Sequence, residues 1–119
     1  MIRVKRIYDE ADDTDGFRVL VDRLWPRGIK KQDAAIDLWL RDIAPSADLR
    51  RWFGHDPARW PEFCRRYSKE LASKTTETTL LRKKMRAGRL TLLYSAADTA
   101  HNNALALKRY LEAGRKSVD

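Results

Sequence analysis

Cysteine is nearly absent. Cys64 stands alone in 119 residues, so no intrachain disulfide can form and no Cys/His cluster has zinc-binding spacing. Histidine is scarce too, with only His55 and His101. No apolar run approaches the roughly 20 residues that cross a bilayer. The opening stretch, Ile2-Arg3-Val4-Lys5-Arg6-Ile7-Tyr8, lacks the apolar segment of a signal peptide. A phosphate-binding glycine loop, a nucleophile elbow and a Ser–His–acid signature are all missing. So are internal repeats, heptads and low-complexity tracts. These absences argue against a disulfide scaffold, a zinc protein and a membrane partner. They predict a cytoplasmic protein that needs no metal and no cofactor.

What remains suffices for one domain, 1–119. A hydrophobic share of 43% and four tryptophans can build a core. The net charge of +8 is unevenly placed. Residues 1–60 carry 12 basic and 11 acidic side chains, whereas residues 61–119 carry 13 and 6. A basic C-terminal half points to an anionic partner, nucleic acid or nucleotide above all.

The organising stretch is Phe17 to Gly28. Phe17, Val19, Leu20 and Val21 form a short apolar run, β-branched at two positions, that reads as a buried strand. It ends in Asp22, Arg23, Leu24, Trp25, Pro26, Arg27 and Gly28. Pro26 restrains Trp25 to an extended conformation and Gly28 can take a positive φ, so the loop should be stiff. A strand that delivers polar groups to a stiff loop is how an α/β fold presents a site.

Other elements follow in order. Residues 2–8 read as a strand. Glu10 to Asp15 is an acidic connector whose length fits a hairpin or a crossover equally. Segment 32–44 puts Ile36, Trp39, Leu40 and Ile43 on one helical face, yet Ile36, Leu38 and Leu40 also alternate; helix is the expectation. Ser46 should cap a short helix through Leu49, Trp52 and Phe53. Asp56 and Pro57 should start another, with a restart at Pro61. Trp60, Phe63, Tyr67 and Leu71 form its apolar stripe. Cys64 lies beside that stripe as a packed, inert thiol. Ser73 to Thr79 reads as a loop or weak helix start. Leu80, Leu81 and Met85 then pack a helix whose other face is basic, and Gly88 ends it. Leu90 to Tyr94 is a second buried strand. Asp98 should cap a last helix, stopped by Gly114, with a frayed tail from Arg115 to Asp119. Alternating strands and helices imply a layered α/β fold with a small, mostly parallel sheet flanked by helices. If the strands at 17–22 and 90–94 are parallel neighbours, the 22–28 loop and the 94–102 turn share a crevice.

Four segments together resemble the YeaO-like branch of the domain-of-unknown-function 488 family: Arg18 to Gly28, Asp42 to Ser46, Trp52 to Pro57, and Leu92 to Ala96. Their order and spacing span nearly the whole chain. The resemblance implies a compact α/β domain and no particular reaction. Members of the broader family carry a cysteine and a Cys-His-Arg cluster after the last strand. The matching positions here hold Tyr94 and Asn102-Asn103-Ala104, so thiol chemistry is not implied for this chain.

The candidate site residues fall into three groups. Arg23 and Arg27 can fork toward a phosphate or carboxylate, with Trp25 between them for ring stacking and Asp22 as orienting acid or general base. Tyr94, Ser95, Asn102 and His101 sit at the last strand–helix turn, where backbone N–H groups attract anions. A helix start favours neutral imidazole, which makes His101 a general-base candidate; His55 is the other. Arg82, Lys83, Lys84 and Arg86 form a generic phosphate-binding helix face. The expected function is binding of an anionic ligand in the crevice. A small metal-independent hydrolase or transferase on a phosphorylated or nucleotide substrate is the alternative, and an interaction module using the basic helix is a third.

Overall fold

The computed structural model describes residues 1–117. Four strands, β1 (Ile2–Arg6), β2 (Phe17–Leu20), β3 (Leu38–Trp39) and β4 (Leu90–Tyr94), form one sheet in the order β1-β4-β2-β3. All three pairings are parallel. The acidic connector is therefore a crossover that leaves a gap for β4. The helices are α1 (Ala47–Phe53), α2 (Trp60–Ala72), α3 (Thr75–Ala87) and α4 (Asn103–Ser117). None is long and apolar enough to cross a membrane among the described residues. This is a single-domain α/β fold with a parallel sheet.

The register sorts side chains to two faces. Val4, Val19 and Leu92 fall on one face and join the main core with Phe63, Tyr67, Leu81 and Leu107 of the helices. Leu20 and Leu93 fall on the other, where Ile7, Trp25, Ile29, Ile36 and Trp39 cover them. The helices thus pack one face while loops close the second. The stripe of α2 is buried as its 3.6-residue period requires: Trp60, Phe63, Tyr67 and Leu71 all face inward. Each such burial stabilises by roughly 1.5–3 kcal/mol. Off the stripe, Arg65 and Arg66 both pair with Glu62.

Local signals explain most starts and stops. Ser46 Oγ accepts the Leu49 N–H and caps α1, while Glu70 of α2 accepts the Ser46 N–H and hydroxyl. Asp56 caps a 3₁₀ turn at Pro57–Arg59, after which α2 restarts with Pro61 in its first turn. Gly16 is obligatory: its φ is 68° and a Cβ there would lie 2.2 Å from the Arg89 carbonyl oxygen.

Segment 32–44 is not a helix. It contains a 3₁₀ turn at Lys31–Asp33, strand β3 and a 3₁₀ turn at Arg41–Ile43. Ala35 takes a φ of 50°, which breaks helical continuity. Asp37 then docks on the exposed edge of β2, accepting the Arg18 N–H and donating its own N–H to the Arg18 carbonyl. Of the alternating Ile36, Leu38 and Leu40, only Leu38 and Leu40 reach the main core, while Ile36 joins Trp39 on the other face; the strand is the two residues that the free edge of β2 accepts. α3 begins at Thr75, so the stretch from Ser73 to Thr79 takes the second of its two readings, a helix start. One further correction concerns a helix end. Gly114 does not stop α4, which continues to Ser117; an interior glycine costs about 1 kcal/mol but need not end a helix. Of the expected tail, residues 115–117 are helical, and Val118 and Asp119 lie outside the described residues.

The loop-covered face carries a buried ionic cluster. Asp15 is fully buried and meets Arg3 at 2.9 Å, Lys5 at 3.0 Å and the Arg18 guanidinium. It also accepts the Asp12 N–H. Burial alone would raise its carboxyl, but the Asp12 N–H and the Lys5, Arg3 and Arg18 donors hold it well below its ordinary value of 3.8. A depressed carboxyl contributes stability that is complete above the ordinary carboxylate range and lost as the pH falls through it. Asp15→Asn should cost about 3–5 kcal/mol at pH 7 by urea unfolding, because three cations lose their buried partner. The variant should also lose less stability than the parent between about pH 5 and pH 2. A parallel decline in both proteins would show that Asp15 is not the group being titrated.

Candidate functional site

Because β2 and β4 are parallel neighbours, their C-terminal ends open on the same edge of the sheet. A cleft of about 440 Å³ lies there. Asp22, Arg23, Trp25 and Arg27 line it from the first loop, and Ser95, His101 and Asn102 from the turn after β4. His55 reaches it from the turn after α1. The structure thus brings together eight of the nine crevice candidates. Tyr94 is the exception. Its side chain is buried in the main core, which pushes its hydroxyl pKa upward, and it does not line the cleft.

Asp22 is a clamp. Oδ2 accepts the Ser95 N–H at 2.9 Å and the Ser95 hydroxyl at 2.7 Å, and Oδ1 accepts the Asn103 side-chain amide at 3.1 Å. About three of its four acceptor positions are taken by these internal donors. The same contacts tie the exit of β2 to the exit of β4 and the start of α4. Trp39 Nε1 donates to the Asp22 carbonyl, Trp25 Nε1 to the Ile29 carbonyl and Tyr8 to the Arg27 carbonyl. Trp25 meets Trp39 edge to face at 5.3 Å. The loop is stiff for these reasons, and Trp25 serves as both wall and core.

The last turn differs from its expected form. Asp98 caps a separate turn, accepting the Ala100 and His101 N–H groups. Helix α4 starts later, and Asn102 stands in the capping position, its Oδ1 accepting the Leu105 N–H. Asn102 also donates to the Asp98 carbonyl, so its amide oxygen and one amide N–H are engaged. His101 precedes the helix instead of lying in its first turn, which removes the dipole argument for its charge state. Its Nδ1 lies 3.0 Å from Asp98 Oδ2 and its ring packs edge-on against Trp60 at 5.4 Å. The Asp98 carboxyl is held below its ordinary value, first by the Ala100 N–H and then by His101.

The arginines are distributed unequally. Arg23, Arg27 and Arg50 line the cleft, and none of their side chains has a hydrogen-bond or ion-pair partner among the described residues. Arg23 Nε is buried and unpartnered. Arg50 was missed by sequence reasoning. Its one signal was an i,i+3 relation to Phe53, which also lines the cleft. The basic set on α3 does not present one face. Arg82 packs over the Tyr110 ring at 5.4 Å and Lys84 over Phe17 at 4.4 Å, leaving Lys83 and Arg86 exposed. Cys64 is half-buried and burial pushes its thiol pKa up, the opposite of an activated nucleophile.

His55 is unusual. It follows Gly54, whose φ is 53°, and itself takes a φ of 56°. A side chain in this left-handed region costs on the order of 1 kcal/mol. Yet the ring is exposed and has no hydrogen-bond partner among the described residues; its nearest aromatic neighbour is Phe53 at 6.3 Å. His55→Gly should therefore leave stability unchanged or raise it by up to about 1 kcal/mol in urea unfolding. A clear loss would mean that the imidazole supports the fold.

The model of the inactive DUF488-N3 subclade matches residues 1–119. The chain is 46% identical over 112 residues to the uncharacterised protein YeaO of Escherichia coli strain K12, covering 94% of this chain and 97% of that one. It is 51% identical over 70 residues to uncharacterised proteins of Mycobacterium bovis and Mycobacterium tuberculosis, covering 59% of each chain. No solved structure matches it. A match along the whole chain, together with an α/β fold in which the four resembling segments gather at one end of the sheet, places this protein in the DUF488 family, within its inactive N3 subclade.

Proposed function

We propose that this protein binds an anionic ligand, a nucleotide, a nucleic-acid end or another phosphate compound, in the cleft between the 22–28 loop and the 94–102 turn. One observation carries the reading. Three arginines without acidic partners line one concavity, while Arg3, Arg18, Arg51, Arg65 and Arg66 are engaged by Asp15, Asp48 and Glu62. Unengaged guanidinium groups around a cleft focus positive potential and suit phosphate geometry. The one acid of the loop, Asp22, is turned to Ser95 and Asn103. Binding without turnover also agrees with the description of the subclade as inactive.

A second reading, a metal-independent hydrolase or transferase on a phosphorylated substrate, is favoured by the His101–Asp98 contact. An acid that holds Nδ1–H leaves Nε2 as the basic nitrogen. Against it stands the engagement of His101 with Asp98 and of Ser95 with Asp22 as two separate pairs, with no hydrogen bond between the histidine and the serine among the described residues.

Thermal denaturation at low salt tests the first reading. A phosphate-bearing ligand at about 100 times its Kd should raise Tm by several degrees. Arg23→Ala/Arg27→Ala should abolish the rise, and Lys83→Ala/Arg86→Ala should leave it intact. The reverse pattern would indicate generic phosphate attraction on α3. Slow release of p-nitrophenol from its phosphate ester, lost in His101→Gln, would favour the catalytic reading instead.

A further inference from the structure

The cleft wall has two kinds of surface. Arg23, Arg27 and Arg50 are cationic, but most of the wall is apolar, with Phe53, Phe63 and Pro45 contributing. Phe53 and Phe63 are stacked, with ring centroids 4.4 Å apart. A bare anion would satisfy the arginines and leave the apolar wall wet. Among the described residues, three large hydrophobic side chains stand exposed. Two of them, Tyr8 at 45% and Leu24 at 70%, belong to this cleft. Exposed apolar groups scattered singly mean little, but two on the rim of a cationic cleft mark a binding surface.

His55 adds an independent observation. Its left-handed backbone closes the turn in which the Asp56 N–H donates to the Phe53 carbonyl, and it brings a flat, unpartnered ring to the same wall, near Phe53. A planar ligand ring is the group that such a side chain and an aromatic wall receive well. The size agrees. A cleft of about 440 Å³ lies in the lower part of the roughly 300–1,000 Å³ range of small-molecule sites.

We propose that the cleft takes a phosphate monoester of a planar ring, of nucleoside monophosphate size, with the phosphoryl group at Arg23, Arg27 and Arg50 and the ring against His55, over the largely buried Phe53 and Phe63. This rests on the anion-binding reading above and names its ligand class. Isothermal titration of the full chain at low salt, with intrinsic tryptophan fluorescence as a second readout, tests it. The probes are inorganic phosphate, adenosine, AMP, UMP, phenyl phosphate and an eight-nucleotide oligoadenylate. At least one ring-bearing monoester should bind about tenfold more tightly than phosphate or adenosine. His55→Gly should weaken that monoester by about fivefold and leave phosphate unchanged. If phosphate binds as tightly as every monoester, the ring class is wrong while anion binding stands. If adenosine matches AMP, or nothing binds, both readings fall. An oligoadenylate more than tenfold tighter than AMP would make the occupant a nucleic-acid strand and overturn the proposal.

Discussion

The sheet depends on a strand that the chain makes almost last. β4 sits between β1 and β2, and neither of those has another long partner. β2 meets β3 over only two residue pairs. Ile2 waits for Leu90, and Phe17 waits for the same residue from the other side. Every side chain from Leu90 to Tyr94 is buried, so β4 supplies core to both faces at once. Parallel pairing across such sequence distances carries a large loop-closure entropy, which local contacts cannot offset. The helical layer and the buried ionic cluster offset it together.

Two aspartates divide the work at this sheet. Asp15 lies under the loop-covered face and gathers Arg3 and Lys5 from β1 and Arg18 from β2. It bridges two strands that do not touch, and its carbonyl also accepts the Thr91 hydroxyl from the strand between them. Asp22 acts at the C-terminal edge, where it joins Ser95 and Asn103. One acid closes a face and the other closes an end. With both committed to the fold, the positive charge left at the edge has no internal counterpart. That surplus faces a wall that is mostly apolar.

The contrast between the two histidines sharpens the point. His101 is held by Asp98 and Trp60, so its position is accounted for by packing. His55 is held only by its own backbone, in a conformation that side chains seldom adopt.

The sequence by itself determined whatever depends on neighbours along the chain. Val19 to Val21 and Leu90 to Tyr94 are too apolar for any place but a buried strand, and the Trp60–Leu71 stripe can form only one helix face. Ser46, Asp56 and Pro57 act within a turn of themselves, so their capping was legible. Pro26 and Gly28 marked the site loop for the same reason. Only the tertiary structure decided the rest. Leu38 and Trp39 became a strand because β2 offered a free edge, against the helical pattern of Ile36, Trp39, Leu40 and Ile43 that the sequence favoured. Asp22 became a clamp because Ser95, 73 residues away, arrives beside it. Arg50 joined the cleft because α1 packs near the end of the sheet, a relation no spacing encodes. Local propensities act over a few residues, whereas a site at the end of a parallel sheet is assembled from segments that meet only once the sheet is complete.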